Sequence, residues 1–210
     1  MYRPKLFFAL SIITTLITGN AFAQDTVKKS SIKLLPPPVF EQEPLFPGGL
    51  TAFSKFVTNN LQYPEVAKLI GLTGKVYVSF AIDKDGSVTD VKPIKCMGAG
   101  CESEAERVVS MSPKWSPGFL KGEPVKVKFV VPVSFNFEDD NTKTTMKSLR
   151  KSNYGFVFFI NNKTYTLNEA EAILGKSFNP ITVNTVETYN DPKYAMPDKK
   201  AVYLVVMKNS

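Results

Sequence analysis

The residues that could carry out chemistry in this chain are few. Its 210 residues include no histidine and only two cysteines. Without histidine, the Ser-His-Asp triad, histidine acid–base chemistry and histidine-ligated zinc are excluded. Two cysteines are also too few for a structural zinc site. Because only carboxylates, lysines, tyrosines and serines remain, the composition favours a binding protein over an enzyme.

Three glutamates stand at alternate positions, Glu102, Glu104 and Glu106. On a helix, Glu102 and Glu106 share a face, as a pair of acid–base carboxylates could, but nothing in the flanking sequence implies a cleft. Ser103 followed by Glu106 fits a capping box, and acidic side chains stabilise a helix N-terminus. We therefore predict a helix with Ser103 as its N-cap and no catalytic carboxylate.

The stretch Asp83-Lys84-Asp85-Gly86 superficially resembles the start of a calcium-binding loop. The later ligand positions of such a loop are occupied here by Val91 and Ile94, which cannot bind calcium. Asp and Gly are also the residues expected in a tight turn. The stretch therefore predicts a hairpin turn, and no metal site is expected.

Cys96 and Cys101 flank Met-Gly-Ala-Gly. The two glycines permit tight turning, and an exported protein meets an oxidising compartment, so the pair could form a disulfide that closes a very short loop. Two buried thiols packed as small apolar groups are an equally good interpretation.

The N-terminus has the pattern of an export signal. Arg3 and Lys5 precede an apolar run, and a small-x-small pattern ends at Ala23. This predicts a secretory signal peptide over residues 1–23 and a periplasmic protein; an uncleaved inner-membrane anchor is the alternative. Residues 24–45 contain three consecutive prolines and are interpreted as an extended tether.

Apolar periodicity predicts a first folded unit over residues 46–138. Two helices, one from Leu50 to Leu61 and one starting near Pro64 and ending at Gly71, precede two strands joined by the Asp83–Gly86 turn. The clearest strand runs from Val125 to Phe137, where every odd position is apolar. Pro132 cannot donate to a ladder, so this strand is expected to have a free edge. Such an edge can accept an extended peptide or be covered by other protein.

A second unit is predicted over residues 153–208. Its pattern is strand, helix, strand, strand, and a unit this small is expected to pack on the first. Residues 24–140 carry as many acidic as basic side chains, whereas residues 141–210 are basic. The lysines of the basic part are scattered, which favours a role in solubility over binding of an anionic lipid or polymer. No nucleic-acid partner is expected.

Several motifs of the first unit, taken in order, resemble the C-terminal domain of TonB, the energy transducer. They are Gln62-Tyr63-Pro64, Ala67, Gly74, Val76-x-Val78-x-Phe80, Asp85-Gly86, Trp115 and Pro117-Gly118, and they lie within residues 43–137. Phe46-Pro47-Gly48-Gly49 resembles the version common in Bacteroidetes-type bacteria. The second unit resembles a small plug-like segment, on the residues 158–163 and 202–208.

The resemblance implies an α+β fold, a three-stranded antiparallel sheet with helices on one face, and no enzymatic activity, cofactor or metal. It also implies that the domain binds the TonB box of an outer-membrane transporter by strand addition at the last strand. The partner-binding residues expected on this basis are Gln62, Tyr63, Val125, Lys126, Val127, Lys128, Phe129, Val130 and Val131. Inner-membrane motor proteins would be further partners if the N-terminus stays uncleaved. The alternative is an envelope module that forms a homodimer through the same edge.

Overall fold

The architecture was established from a computed structural model that describes residues 40–136 and 144–208. The predicted signal peptide and most of the predicted tether lie outside the described residues. The described residues all belong to one compact unit. Within the described ranges, no helix combines the length and apolarity needed to span a membrane.

The first part of the compact unit contains three helices and five strands. In chain order they are α1 (Gly49–Asn60), α2 (Glu65–Ile70), β1 (Gly74–Ile82), β2 (Val88–Lys95), α3 (Cys101–Ser110), β3 (Gly118–Leu120), β4 (Glu123–Val125) and β5 (Val127–Phe135). As predicted, Gly71 ends α2 in the left-handed conformation, with φ of 70°. Gly86, with φ of 83°, makes the turn between β1 and β2.

Three of these strands form an antiparallel sheet in the order β2-β1-β5. Val76, Val78 and Phe80 of β1 are fully buried on one face of this sheet, because alternate residues of a strand point to opposite faces. The aromatic rings of Phe53 in α1 and of Trp115 pack on Phe80, with centroids 6.1 and 5.8 Å away. The predicted α+β class and the three-stranded antiparallel sheet are confirmed.

The remaining described residues contain two α-helices and six strands, besides two short 3-10 helices at Pro180–Thr182 and Pro192–Tyr194. They are β6 (Thr144–Thr145), α4 (Met146–Lys151), β7 (Gly155–Ile160), β8 (Lys163–Thr166), α5 (Leu167–Leu174), β9 (Ser177–Phe178), β10 (Val183–Thr188) and β11 (Val202–Met207). Four of them form a sheet in the order β10-β11-β7-β8, in which β11 and β7 are parallel. The predicted strand, helix, strand and strand are present, and α4, β6, β8 and β9 are additional.

The two parts share one connected cluster of buried apolar side chains. Backbone hydrogen bonds also join them: the N–H of Ala99 donates to the carbonyl of Val186 in β10 at 2.7 Å, and the N–H of Val186 donates to Met97 at 3.3 Å. The hydroxyl of Tyr154 donates to Glu65 in α2 at 2.9 Å. The second sheet therefore docks against α2 and the segment 97–99.

Three expectations differ from the structure. Helix α3 begins at Cys101 after Gly100 and not at Ser103, because two glycines with positive φ, Gly98 and Gly100, turn the chain into the helix earlier. The predicted strand from Val125 to Phe137 is divided, since Val125 pairs with Gly118 in the β3–β4 hairpin; Phe137 lies outside the described residues. The last residues of the predicted tether pair with residues 116–119.

Candidate functional site

Strand β5 has an edge that no other described strand covers. Its nine residues pair with β1 from Val127 opposite Ile82 to Phe135 opposite Gly74, without a register shift. In the described part of the chain, β1 is its only neighbour in the sheet. Pro132 sits opposite Tyr77 without interrupting the ladder, as expected if its nitrogen faces away from β1.

A groove of about 290 Å³ runs beside this edge, between β5 and α1. One wall is formed by residues 131–134 of β5. The other wall is one side of α1 and the residue after it, where spacings of three and four place side chains in a row. These α1-side residues are Leu50, Phe53, Ser54, Val57, Thr58 and Leu61. The groove is therefore mainly apolar and opens next to unpaired backbone groups.

The structure places five of the predicted partner-binding residues, 127–131, on β5. Their side chains alternate, with Lys128 and Val130 exposed and the other three half-buried. Val125 lies in the β3–β4 hairpin, and Lys126 connects that hairpin to β5. Lys126 forms ion pairs with Asp90 at 2.9 Å and with Asp83 at 3.6 Å.

Gln62 and Tyr63 lie at the far end of β5. The Tyr63 ring packs edge-on against Phe135, with centroids 5.5 Å apart, and its hydroxyl donates a hydrogen bond to the carbonyl of Leu72. Burial raises the pKa of the Tyr63 hydroxyl, and Cys101 raises it further. Tyr63 is thus a packed, half-buried neighbour of the edge, whereas Gln62 is exposed.

An ion pair that sequence reasoning missed fixes the wall of the groove. The Glu104 side chain is almost fully buried and accepts hydrogen bonds from Arg107, at 2.6 and 2.7 Å, and from the N–H of Gln62. Arg107 also donates to the carbonyl of Asn60 at 2.8 Å. The two contacts with the chain flank Leu61, which lines the groove. Burial raises the pKa of Glu104, but the bonds from Arg107 and Gln62 outweigh it, so the pKa lies below its usual value.

The two other glutamates of this helix do not form a catalytic pair. Glu102 accepts hydrogen bonds from the N–H groups of Met97, at 2.5 Å, and Gly98, at 2.7 Å. It therefore stabilises the segment that binds β10. Glu106 is exposed on the helix surface. The structural role expected for the three glutamates is thus filled by contacts with loops rather than by a capping box.

The two cysteines are not bonded to each other in the structure: Cys96 is exposed and Cys101 is buried. Burial raises the pKa of Cys101 to about 12, with Glu102 and Glu104 adding to the shift. Burial and Glu102 also raise the pKa of Cys96. Both groups are therefore protonated thiols at neutral pH and poor nucleophiles.

The Asp83–Gly86 stretch is a turn. Asp85 accepts hydrogen bonds from Ser87 and forms an ion pair with Lys114 at 2.7 Å. No group of three or more His, Cys, Asp or Glu residues in the described ranges is arranged to hold a metal ion.

Comparison with known proteins shows a family to which residues 59–137 are similar. They match the sequence profile of the C-terminal region of the TonB protein of Gram-negative bacteria. A stretch of 39 residues is 46% identical to the protein TonB of Helicobacter pylori strain J99, and the same identity is found for strain 26695. This stretch is 19% of this chain and only 14% of those relatives.

Two solution structures of the TonB C-terminal domain of Helicobacter pylori are also similar. Each is 26% identical and covers 43% of this chain, with TM-scores of 0.35 and 0.34. The chain covers 82% of the first domain and 96% of the second. Most of α1 and all of the second sheet lie outside the family match. The profile match and the identity to TonB together show that residues 59–137 of this chain are similar to the TonB C-terminal domain family.

Proposed function

We propose that this protein binds the TonB box of an outer-membrane transporter, in the periplasm, by adding the peptide as a strand to the outer edge of β5. The observation that carries the proposal is the nine-residue edge, in unbroken register with β1, that lies beside an apolar groove. The match of residues 59–137 to the TonB C-terminal family supports a TonB-like role in envelope transport. The residues 127–131 would supply backbone contacts.

The other strand edges of the described residues are poor sites for strand addition. Strand β2 has two register shifts and contains Pro93, and bulges and prolines discourage pairing. Strand β8 has only four residues and begins with Lys163. Val186 of β10 is already hydrogen-bonded to the segment 97–99. Strand β5 is therefore the best edge for an extended peptide.

The groove supplies a reason for selectivity. Backbone hydrogen bonds of an added strand are independent of sequence, so side-chain pockets must distinguish one peptide from another. A strand paired with β5 would direct alternate side chains toward α1, where Leu50, Val57 and Leu61 lie. Apolar side chains at these alternate positions of the peptide are therefore favoured.

Energy transduction requires more than this binding site. A protein that pulls on a transporter must be linked to inner-membrane motor proteins, and we propose them as partners only if the N-terminal segment stays uncleaved. If residues 1–23 are removed as predicted, the protein would bind a transporter without pulling on it. Sequencing the N-terminus of the protein purified from cells distinguishes the two forms.

Titration of residues 24–210, which contain the whole compact unit, with a synthetic TonB-box peptide tests the proposal. Saturable binding is expected. Val130 shares its strand parity with Pro132, so its N–H also faces the open edge, and the substitution Val130→Pro should abolish binding. Two further peptides carry N-methyl groups at alternate backbone nitrogens, one at the odd and one at the even positions. Only the peptide whose free N–H groups face β5 should bind.

A matched pair of outcomes separates this function from the alternative, self-association through the same edge. Sedimentation velocity should show a monomer that binds peptide. A concentration-dependent dimer that Val130→Pro disrupts, together with no binding of the TonB-box peptide, would contradict the proposed transport role. It would favour an envelope interaction module instead.

A further inference from the structure

The face of the three-stranded sheet that the helices leave uncovered carries lysines and exposed apolar side chains. We call it the open face and define it by Lys75, Tyr77, Lys92, Ile94, Lys95, Lys128 and Val130. The strand registers place these residues in rows across the sheet: Lys92, Ser79 and Val130 form one row, and Lys95, Tyr77 and Pro132 form the next. Lys75 and Lys128 lie at the two ends of the face.

The four lysines of the open face are available for an external anion. None of them forms an ion pair with a carboxylate of the described residues, whose six ion pairs involve other cations. Asp90 lies on the face close to Lys92 and Lys128, but it forms its ion pair with Lys126, at 2.9 Å. Lys92, Lys128 and Asp90 line a shallow hollow of about 300 Å³ around Ser79 and Ile94. The four lysines of the face outnumber this single carboxylate, which Lys126 already pairs. The face is therefore positively charged.

This charge is invisible in the sequence because the surrounding segment is neutral overall. The fold places most acidic side chains away from the lysines of the open face. The acidic side chains of residues 40–136, Asp90 apart, lie on the N-terminal segment, the helices, the Asp83–Gly86 turn and the β3–β4 hairpin. The open face keeps four lysines and lacks a free carboxylate among the described residues.

Apolar side chains stand among these lysines. Tyr77 is 36% exposed, Ile94 58% and Val130 55%. Lysines mixed with exposed aromatic and aliphatic side chains on a flat surface suit the interface of an anionic bilayer, where the apolar groups enter the headgroup region and the lysines meet lipid phosphates. A bound acidic peptide would instead be expected to follow a groove lined by the cations, whereas these lysines are spread over three strands.

We propose that the open face docks on the surface of an anionic lipid bilayer. The face is perpendicular to the hydrogen-bonding edge of β5 and uses neither that edge nor the groove beside α1. Membrane docking would therefore leave the edge accessible to a peptide, and it does not depend on the proposed peptide binding.

Vesicle co-sedimentation of residues 24–210 tests this docking. Vesicles of phosphatidylcholine with phosphatidylglycerol should bind the protein, and pure phosphatidylcholine vesicles should not. Each lysine near an anionic surface contributes roughly fivefold to partitioning. The triple variant Lys92→Gln, Lys95→Gln, Lys128→Gln should therefore lower the partition coefficient by roughly 100-fold.

The matched control removes the same charge elsewhere. Lys55→Gln, Lys68→Gln and Lys121→Gln change exposed lysines on α1, α2 and the β3–β4 hairpin, and this triple variant should retain most of the binding. Equal losses for the two triples, or no binding to anionic vesicles, would overturn the proposal. Binding of poly-glutamate that depends on the open face, without vesicle binding, would replace the bilayer by an acidic protein partner.

Discussion

The outer strands β5 and β10 differ in whether the backbone groups of their outer edge are hydrogen-bonded. Each ends a sheet and exposes a row of backbone N–H and C=O groups that could pair with another chain. At β10, Met97 and Ala99 take both backbone groups of Val186. At β5, no described strand pairs with the outer edge, and α1 lies alongside it. The edge of β10 is therefore occupied by the segment 97–99, whereas the edge of β5 lies beside a groove and stays available to a partner.

The covered edge depends on local sequence chemistry. Gly98 has φ of 86° and forms a parallel bridge with Val186. A Cβ atom at Gly98 would overlap the backbone of Val186, including its carbonyl oxygen. Only glycine allows both this conformation and this approach, so the contact between the two sheets is encoded at one position.

The largest expected change in stability comes from a substitution that disrupts the contact between Gly98 and β10. Gly98→Ala should reduce the free energy of unfolding by roughly 3 kcal/mol, from left-handed strain and overlap with Val186 together. Urea unfolding measures the change. Gly122→Ala is the control, because Gly122 has φ of 76° but nothing within 4 Å of its Cβ position. It should cost only about 1 kcal/mol. Equal costs would mean that Gly98 matters for its conformation alone.

A second prediction concerns the wall of the open edge. Glu104→Ala leaves Arg107 and the Gln62 N–H without their buried acceptor and should cost roughly 2–3 kcal/mol of unfolding free energy at neutral pH. It should also loosen Leu61 and weaken peptide binding. Glu106→Ala, on the exposed side of the same helix, is the matched control and should change neither quantity appreciably.

The same carboxylate gives a pH dependence. The pKa of Glu104 is lower in the folded protein than its usual value, so its stabilisation is present at neutral pH and is lost as the pH falls through the folded pKa. The stability advantage of the wild type over Glu104→Gln should therefore shrink between neutral pH and the acidic range below the usual carboxyl pKa. An advantage that stays constant with pH would contradict the ion pair.

The smallest effect sharpens the role of the groove. Leu50 is 63% exposed and lines the groove, so Leu50→Ala should weaken peptide binding roughly fivefold and change the unfolding free energy by less than about 0.5 kcal/mol. Ile173→Ala removes a similarly exposed side chain, 52%, from α5 and should leave binding unchanged. Calorimetric titration compares the two variants, and equal affinities would remove α1 from the site.

Local sequence patterns predicted the helices and strands better than they predicted the tertiary contacts at the strand edges. The strict alternation before Phe135 and the glycines at 71 and 86 are local signals, and the structure contains the corresponding strand and turns. The ion pair between Glu104 and Arg107 with its contacts to Asn60 and Gln62 joins residues more than 40 positions apart. Such contacts depend on tertiary packing, as does the separation of charge on the open face.

The limit is clear at Val125 and Ser103. Val125 continues the apolar alternation of β5, but it pairs with Gly118 in the β3–β4 hairpin. Ser103 fits a capping pattern, but Gly98 and Gly100 start the helix three residues earlier. In both cases a nearby turn overrode a plausible local pattern, the apolar alternation at Val125 and the capping motif at Ser103.

The most direct test of strand addition is isotope-filtered nuclear magnetic resonance of the labelled protein with an unlabelled TonB-box peptide. We predict cross-strand contacts between Hα atoms of the peptide and those of residues 127–135, with slowed exchange of the β5 amides that face the open edge. Contacts of the peptide with β2 or β8 instead, or binding without any slowed exchange in β5, would contradict the account.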